Sequence, residues 1–188
     1  MRSVWERFYY SVADELIPNV LPPKKHREKN KFAVILSGGE TLTADDINKI
    51  SQRCNLTPLF FALSLDAELD LSRSYARSLD TTVVIPKNHI EFAFAAKECA
   101  FSINESALGG ILSFFSHTPA YLNSGCKDCR TLIGELTECG ISPPLFMPYT
   151  KNRAYIINNV RVTDYEFYVA IKKLRTLIGT KLLEFFDV

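Results

Sequence analysis

Neither acidic nor basic residues are in excess in this chain of 188 residues. There are 22 lysines and arginines against 21 aspartates and glutamates, which gives a formal net charge of +1 at pH 7. A chain with so little net charge has no global field that would recruit nucleic acid or an anionic membrane. The basic cluster at 24–31 is short and is interrupted by Glu28, which favours a solvated linker over a binding patch. We therefore expect no nucleic-acid partner.

Long apolar runs and a disulfide framework are also missing. No run reaches the length of about 18 apolar residues that a membrane-spanning helix needs, and the first residues are too polar for the apolar region of a signal peptide. The five cysteines are odd in number and scattered, which argues against a set of structural disulfides. These absences predict a protein of the reducing cytoplasm with no membrane span.

The composition is that of a globular domain, with 47% apolar and 23% charged residues. Helical spacing of apolar residues predicts an N-terminal helix at 3–16, and a proline-rich, basic linker follows it to residue 31. Residues 32–188 are predicted to form a single domain, in which apolar runs typical of buried strands alternate with helical segments. Strands are predicted at 32–37, 57–64, 81–86, 99–103, 119–122 and 144–148. Helices are predicted after Thr43 and at 66–79, 89–99, 107–115, 126–139 and from residue 163 onward.

Alternating strands and helices with short connections predict an α/β fold: a three-layer, Rossmann-like parallel sheet of five or six strands, with a long C-terminal helix. In such sheets a ligand binds beyond the carboxyl ends of the strands, near the point where the strand order reverses. Two loops are candidates because glycine permits close backbone approach and a helix N-terminus attracts anions. The predicted ligand-binding residues are Ser37, Gly38, Gly39, Glu40, Asn104, Glu105, Ser106, Gly109 and Gly110. An alternative is that the glycines serve only tight turns and helix packing.

Other chemical groups carry weaker signals. Cys126 and Cys129 form a lone C-x-x-C pair at a helix start, where a thiolate is favoured, but zinc needs about four ligands, and we expect a structural role. His117 precedes Thr118 and Pro119 at a helix end, which favours a capping role. His89 follows a strand and is a candidate acid or base. Dinucleotide, Walker and G-x-S-x-G motifs are absent, so we predict no cofactor and no metal.

The segment 31–148 resembles the C-terminal half of a polysaccharide pyruvyl transferase, a family with a glycosyltransferase-B-like architecture. The likeness lies in "FAVILSGGETLTADDINKI", "LTPLFFALSLDAELDLSRSYA" and "NESALGGILSFFSHTPAYLNS". The third stretch matches a family pattern close to S-R-L-H-G-L-I-F-A that ends in G-T-P or G-V-P. Thr118 and Pro119 match that ending, and Ser106, Ala107, Leu108 and Gly109 then occupy the R-L-H-G positions.

The resemblance implies a crevice for a phosphorylated donor, but the chain departs from the family at the residues that grip phosphoenolpyruvate. The family's arginine and histidine are replaced by Ser106 and Leu108, and serine cannot provide the bidentate fork of an arginine. Glu40 would in addition repel an anionic donor. The family's N-terminal half, which completes the active-site cleft, has no counterpart in the resemblance.

Three functions remain open from the sequence. The first is a degenerate transferase-like domain that binds a phosphorylated sugar or a nucleotide, or acts through a partner. The second is a protein-interaction module whose partner would bury apolar surface. That surface would come from "GGILSFF" and from the aromatic residues near the two ends of the chain: Trp5, Phe8, Tyr9, Tyr10, Phe185 and Phe186. The third is an active pyruvyl or glycosyl transferase completed by a second copy or another chain, with Glu105 or His89 as the acid or base. A homodimer or a complex with a partner protein is expected in each case.

Overall fold

A computed structural model describes residues 29–37, 42–63, 66–141, 145–149 and 164–186. The predicted helix at 3–16, most of the basic linker and the candidate residues Gly38, Gly39 and Glu40 lie outside the described residues. The strands are β1 (Lys31–Ile35), β2 (Thr57–Phe61), β3 (Val83–Val84), β4 (Cys99–Asn104), β5 (Ala120–Asn123) and β6 (Phe146–Tyr149). The helices are α1 (Ala44–Cys54), α2 (Asp66–Ser78), α3 (His89–Lys97), α4 (Ala107–Phe115), α5 (Lys127–Glu138) and α6 (Asp164–Phe186).

The strands form one six-stranded sheet in the order β3-β2-β1-β4-β5-β6, and every neighbouring pair is parallel. The α/β Rossmann-like prediction is therefore confirmed, and so is the long C-terminal helix. The order reverses between β1 and β4, because the chain moves outward from β1 in one direction and from β4 in the other. The carboxyl ends of these two strands are the place where such a sheet opens a crevice.

Strand β1 shows why the sheet is covered on both faces. Phe32 and Val34 pack with α1 and α2 on one face, and Ala33 and Ile35 pack with α3, α4, α5 and α6 on the other. All four side chains are buried. A strand buried on both sides needs a continuous apolar run rather than an alternating one, which is the pattern that predicted it.

Helix α1 begins at a capping box. The Thr43 side chain accepts a hydrogen bond from the Asp46 backbone N–H at 3.2 Å, and the Asp46 carboxylate accepts one from the Thr43 N–H at 2.9 Å. These two bonds satisfy amides that have no partner inside the helix. The predicted cap at Thr43 is confirmed. At the end of α5, Gly140 has a φ of +68°, the left-handed conformation that glycine commonly adopts at a helix C-terminus.

Helix α4 is enclosed by the sheet and by helices α3, α5 and α6. Every residue of "GGILSFF", 109–115, is buried. The prediction that this segment offers apolar surface to a partner is therefore wrong. A helix that is apolar all round is typically a core helix, and that is its place here.

The predicted strand bounds were wrong by a few residues, most clearly at β3. The sequence predicts a strand over 81–86, whereas Val83 and Val84 alone pair with β2. This strand lies at the edge of the sheet, and Pro86 has no N–H to continue the ladder. Helix α6 buries Phe167, Ala170, Ile171, Leu174 and Leu177. Ile178 and Leu182, which continue the same helical spacing, lie outside the described side chains.

Among the described residues, none of the helices combines the length and the apolar character that crossing a membrane requires.

Candidate functional site

The candidate site lies where β1 and β4 end side by side. Ile35 pairs with Asn104 across the two strands, and the Glu105 N–H donates to the Ile35 carbonyl at 2.9 Å. The chain then leaves β1 through Ser37 and leaves β4 through Ser106. We call the end of β1 with Ser37, together with residues 104–108, the switch-point crevice.

Glu105 braces the loop that leads from β1 to α1. Its carboxylate accepts a hydrogen bond from the Leu42 N–H at 2.7 Å and a longer one from the Ser37 N–H at 3.4 Å. The side chain is 1% exposed. A buried carboxylate is stable only where hydrogen bonds replace its hydration, and these two amides supply them. Glu105 therefore holds both ends of the 37–42 segment to the end of β4.

Asn104 points to the opposite face of the sheet, under α4, as expected because successive side chains of a strand alternate. Its amide group donates to the Ser102 hydroxyl at 2.8 Å, which donates to the Ser113 hydroxyl at 2.8 Å; the Ser113 hydroxyl in turn donates to the Gly109 carbonyl at 2.7 Å. This polar chain fastens β4 to α4 inside an apolar core. The Asn104 Oδ1 atom is buried and has no hydrogen-bond partner among the described residues.

The two glycines of α4 are places of close helix-to-sheet contact. A Cβ atom on Gly109 would lie 2.9 Å from Asn104 Oδ1 and 2.9 Å from Ile35 Cγ2, and one on Gly110 would lie 2.5 Å from Leu122 Cδ2. These separations leave no room for a methyl group. Packing is thus a sufficient reason for glycine at both positions.

The first turn of α4 supplies the accessible part of the crevice. Ser106 is the N-cap, in an extended conformation, and its side chain makes no capping hydrogen bond. No acidic residue follows in the first turn. The first amides of a helix have no partner inside the helix, so this end of α4 keeps the donors that attract anions or hydroxyl oxygens.

Accessibility along this segment is restricted to two residues. Between 101 and 123, a stretch that the structure describes throughout, Ser106 and Leu108 are partly exposed and every other residue is buried. A ligand that reaches the first turn of α4 meets these two side chains. In the resemblance predicted from the sequence, the family's arginine and histidine fall at these two positions.

The other candidates lie at different places. His89 is the first residue of α3, after the Asn88 cap, and therefore lies at the same carboxyl edge of the sheet. His117 follows α4 at the opposite edge, in a left-handed conformation with a φ of 53°. Its ring stacks on Phe167 at 5.4 Å between centroids. This contact ties α6 to the end of α4. It is a packing contact, so the dipole or capping role predicted for His117 stays a prediction.

Cys126 and Cys129 have perturbed pKa values, which their spacing in the sequence does not reveal. A hydrogen bond from the Cys129 thiol lowers the pKa of Cys126 to about 6, and the N–H groups of Cys129 and Asp128 act in the same direction, against partial burial. The same thiol–thiol hydrogen bond and burial raise the pKa of Cys129. Within the described residues, no group of three or more His, Cys, Asp or Glu side chains could hold a metal ion.

The chain matches no protein-family model, no curated protein and no solved structure. The resemblance to the pyruvyl transferases therefore stays a prediction.

Proposed function

We propose that the chain is a polysaccharide pyruvyl transferase-like domain that retains the ligand crevice but not the donor-gripping residues. It binds a phosphorylated sugar or a nucleotide at the switch-point crevice and does not transfer pyruvate. One observation carries this proposal. The two accessible residues of the segment 101–123 are Ser106 and Leu108, which stand where the resemblance has arginine and histidine.

The charges at the crevice favour weak binding of a ligand rich in hydroxyl groups. The amide end of α4 attracts a phosphate, but the Glu105 carboxylate adjoins it and repels one. An arginine–phosphate pair contributes about 1.5–3 kcal/mol per charged hydrogen bond, and Ser106 cannot replace it. A small, highly charged donor such as phosphoenolpyruvate is therefore the poorest fit, and a sugar or nucleotide that adds hydroxyl contacts is the better one.

A ligand-dependent melting series tests the proposal. The purified chain is heated with phosphoenolpyruvate, a nucleotide sugar, a sugar phosphate or inorganic phosphate. A ligand at about 100 times its dissociation constant stabilises by about 2.7 kcal/mol, which at this size is a rise of several degrees. We expect that rise with the nucleotide sugar or the sugar phosphate. No rise with any of the four would contradict the proposal, and a rise with phosphoenolpyruvate would favour an active transferase.

Restoring the family residues provides the sharper test. In the double variant Ser106→Arg, Leu108→His both new side chains start from partly exposed positions, although Leu108 also packs against the apolar core. We expect the variant to bind phosphoenolpyruvate at least tenfold more tightly, as one added charged hydrogen bond of about 1.4 kcal/mol implies. Thr131→Arg, on the exposed side of α5, adds a positive charge away from the crevice and should change nothing.

A second candidate, the protein-interaction module, has support from four large apolar side chains. Ile85, Phe94, Tyr165 and Tyr168 are 43–73% exposed, although single exposed apolar residues are common on protein surfaces. The molar mass of the protein in solution tests this candidate. A stable dimer that dissociates on Phe94→Ser would favour it over ligand binding, whereas a monomer that binds sugar phosphate would favour the first proposal.

A further inference from the structure

Two cysteines lie side by side at the start of α5, which follows β5 at the same carboxyl edge of the sheet as the switch-point crevice. Cys126 is the N-cap, with φ −77° and ψ 130°, and Cys129 lies in the first turn. Residues three apart on a helix have Cβ atoms about 5–6 Å apart, and only a small adjustment brings such a pair to the Cβ separation of about 3.5–4.5 Å that a disulfide needs. Both are free thiols in the structure. The spacing therefore permits a disulfide within a single helical turn.

The two sulfur atoms have different surroundings. Cys126 is partly exposed, whereas Cys129 is fully buried and packs in the core beside α4. The interaction between the two thiols lowers the pKa of Cys126 and raises that of Cys129. The pair thus combines a partly exposed cysteine that favours the thiolate with a buried cysteine that stays protonated. This asymmetry is what thiol–disulfide exchange requires, because one sulfur attacks an external disulfide and the other resolves the product.

The loop before α5 is held by two hydrogen bonds next to Cys126. The Asn123 side chain accepts from the Gly125 N–H at 2.9 Å, and the Asn123 carbonyl accepts from the Cys126 N–H at 3.1 Å. Gly125 is exposed and carries no side chain that could cover the Cys126 sulfur. The loop is therefore held by hydrogen bonds beside Cys126, which is partly exposed and also packs against the core.

Two other cysteines also have a perturbed pKa, but theirs is raised, whereas that of Cys126 is lowered. Burial raises the pKa of Cys54, and it raises that of Cys99 to about 12. Cys54 is about as accessible as Cys126, since both are partly exposed. Accessibility alone therefore does not distinguish Cys126 from Cys54. What distinguishes Cys126 is its position at a helix N-terminus beside a second thiol.

We propose that Cys126 and Cys129 form a redox-active dithiol that exchanges with low-molecular-weight disulfides. The Cys126 thiolate attacks one sulfur of the disulfide R–S–S–R, so that a Cys126–S–S–R bond forms and the first RS⁻ leaves. Cys129 then loses its proton to solvent and attacks the Cys126 sulfur, which expels the second RS⁻. The external disulfide gains two electrons and the protein pair loses two. An external dithiol restores the reduced pair by the reverse steps. The proposal is independent of the ligand assigned to the switch-point crevice.

The test uses the reduced chain of 188 residues and oxidised glutathione as the probe. After the reaction is quenched with acid, the remaining thiols are alkylated and each cysteine is assigned by peptide mass spectrometry. We expect a disulfide between Cys126 and Cys129, with Cys54, Cys99 and Cys139 still alkylated. In Cys129→Ser the resolving thiol is missing, so a mixed disulfide with glutathione should accumulate on Cys126. Cys139→Ser, changed at the other end of the same helix, should behave as the unmodified chain.

Two results would overturn the proposal. One is a mixed disulfide on Cys126 that persists in the unmodified chain although Cys129 is present. The other is equal oxidation of Cys126 and Cys54. Because Cys129 is buried and its replacement could impair folding, a second measurement uses the unmodified chain alone. With a limiting amount of iodoacetamide, most of the label should be found on Cys126, and an even spread over the partly exposed cysteines would refute the special role of this pair.

Discussion

Replacing Glu105 with alanine removes the acceptor of two backbone N–H groups that lie far away in sequence. The shorter bond joins the carboxylate to the Leu42 N–H at 2.7 Å in a buried setting, and the longer one reaches the Ser37 N–H at 3.4 Å. Alanine offers neither amide an acceptor. The Leu42 amide would then stay buried without a partner, and the end of β1 would lose its link to the end of β4.

The magnitude follows from the two bonds. A buried donor that loses its partner costs about 1–3 kcal/mol, and bonds to a charged group lie in the upper part of that range. The bond at 3.4 Å is near the limit of hydrogen-bond geometry and adds little. We expect Glu105→Ala to lower the free energy of unfolding by about 2–3 kcal/mol, which at this chain length is a fall in Tm of roughly 5–10 °C. Glu105→Gln keeps one acceptor oxygen and should lose about half as much.

Thermal unfolding of the variants measures this effect, and hydrogen exchange of the Leu42 amide locates it. Glu138→Ala, which removes an exposed acid at the end of α5, is the matched control and should change stability by less than about 0.5 kcal/mol. The Leu42 amide should exchange faster in Glu105→Ala than in the control. If Glu105→Ala melts within a degree of the unmodified chain, the carboxylate is not a brace, and a role in ligand binding would be favoured instead.

Three further predictions concern packing, capping and thiol chemistry. Gly110→Ala should lower the free energy of unfolding, measured in urea, by about 1–3 kcal/mol because its methyl group would meet Leu122. Gly134→Ala, whose methyl group meets nothing within 4 Å, should raise the free energy of unfolding by about 0.5–1 kcal/mol. Changes of the same sign in both variants would contradict a packing role for Gly110. Thr43→Ala should cost about 1 kcal/mol through loss of the capping box, and an unchanged Tm would contradict that role. The pKa of Cys126 is lowered to about 6, so its alkylation rate should fall as pH drops through about 6. A midpoint near the ordinary thiol value of about 8.5 would contradict the shift.

The fold was accessible from the sequence because its signals are local. A continuous apolar run predicts a doubly covered strand such as β1, and the capping residues Thr43 and Gly140 mark helix ends within a few positions. The burial of "GGILSFF" could also have been predicted from the sequence, since a helix that is apolar on all sides is typically buried. The edge strand β3 was harder to predict, because its length depends on pairing with β2 alone.

The site was less predictable because its contacts join distant parts of the chain. Glu105 accepts a hydrogen bond from the Leu42 amide, 63 positions earlier in the sequence. No sequence pattern around either residue predicts that bond. The C-x-x-C spacing is visible in the sequence, but the difference between the pKa values of its two thiols arises from their mutual interaction and from the burial of Cys129. Ser106 and Leu108 were singled out by a resemblance, and their shared accessibility became apparent only in three dimensions.

The most direct test of the proposed function is a titration of the isotopically labelled chain with a sugar phosphate, followed through its backbone amide resonances. The account predicts the largest shifts at Ser106 to Gly109, in the first turn of α4, and smaller ones at Ser37. The Arg and His double variant should show the same set of shifts with phosphoenolpyruvate. Saturating shifts centred on any other part of the described chain, or none at millimolar sugar phosphate, would contradict a ligand site at the switch-point crevice.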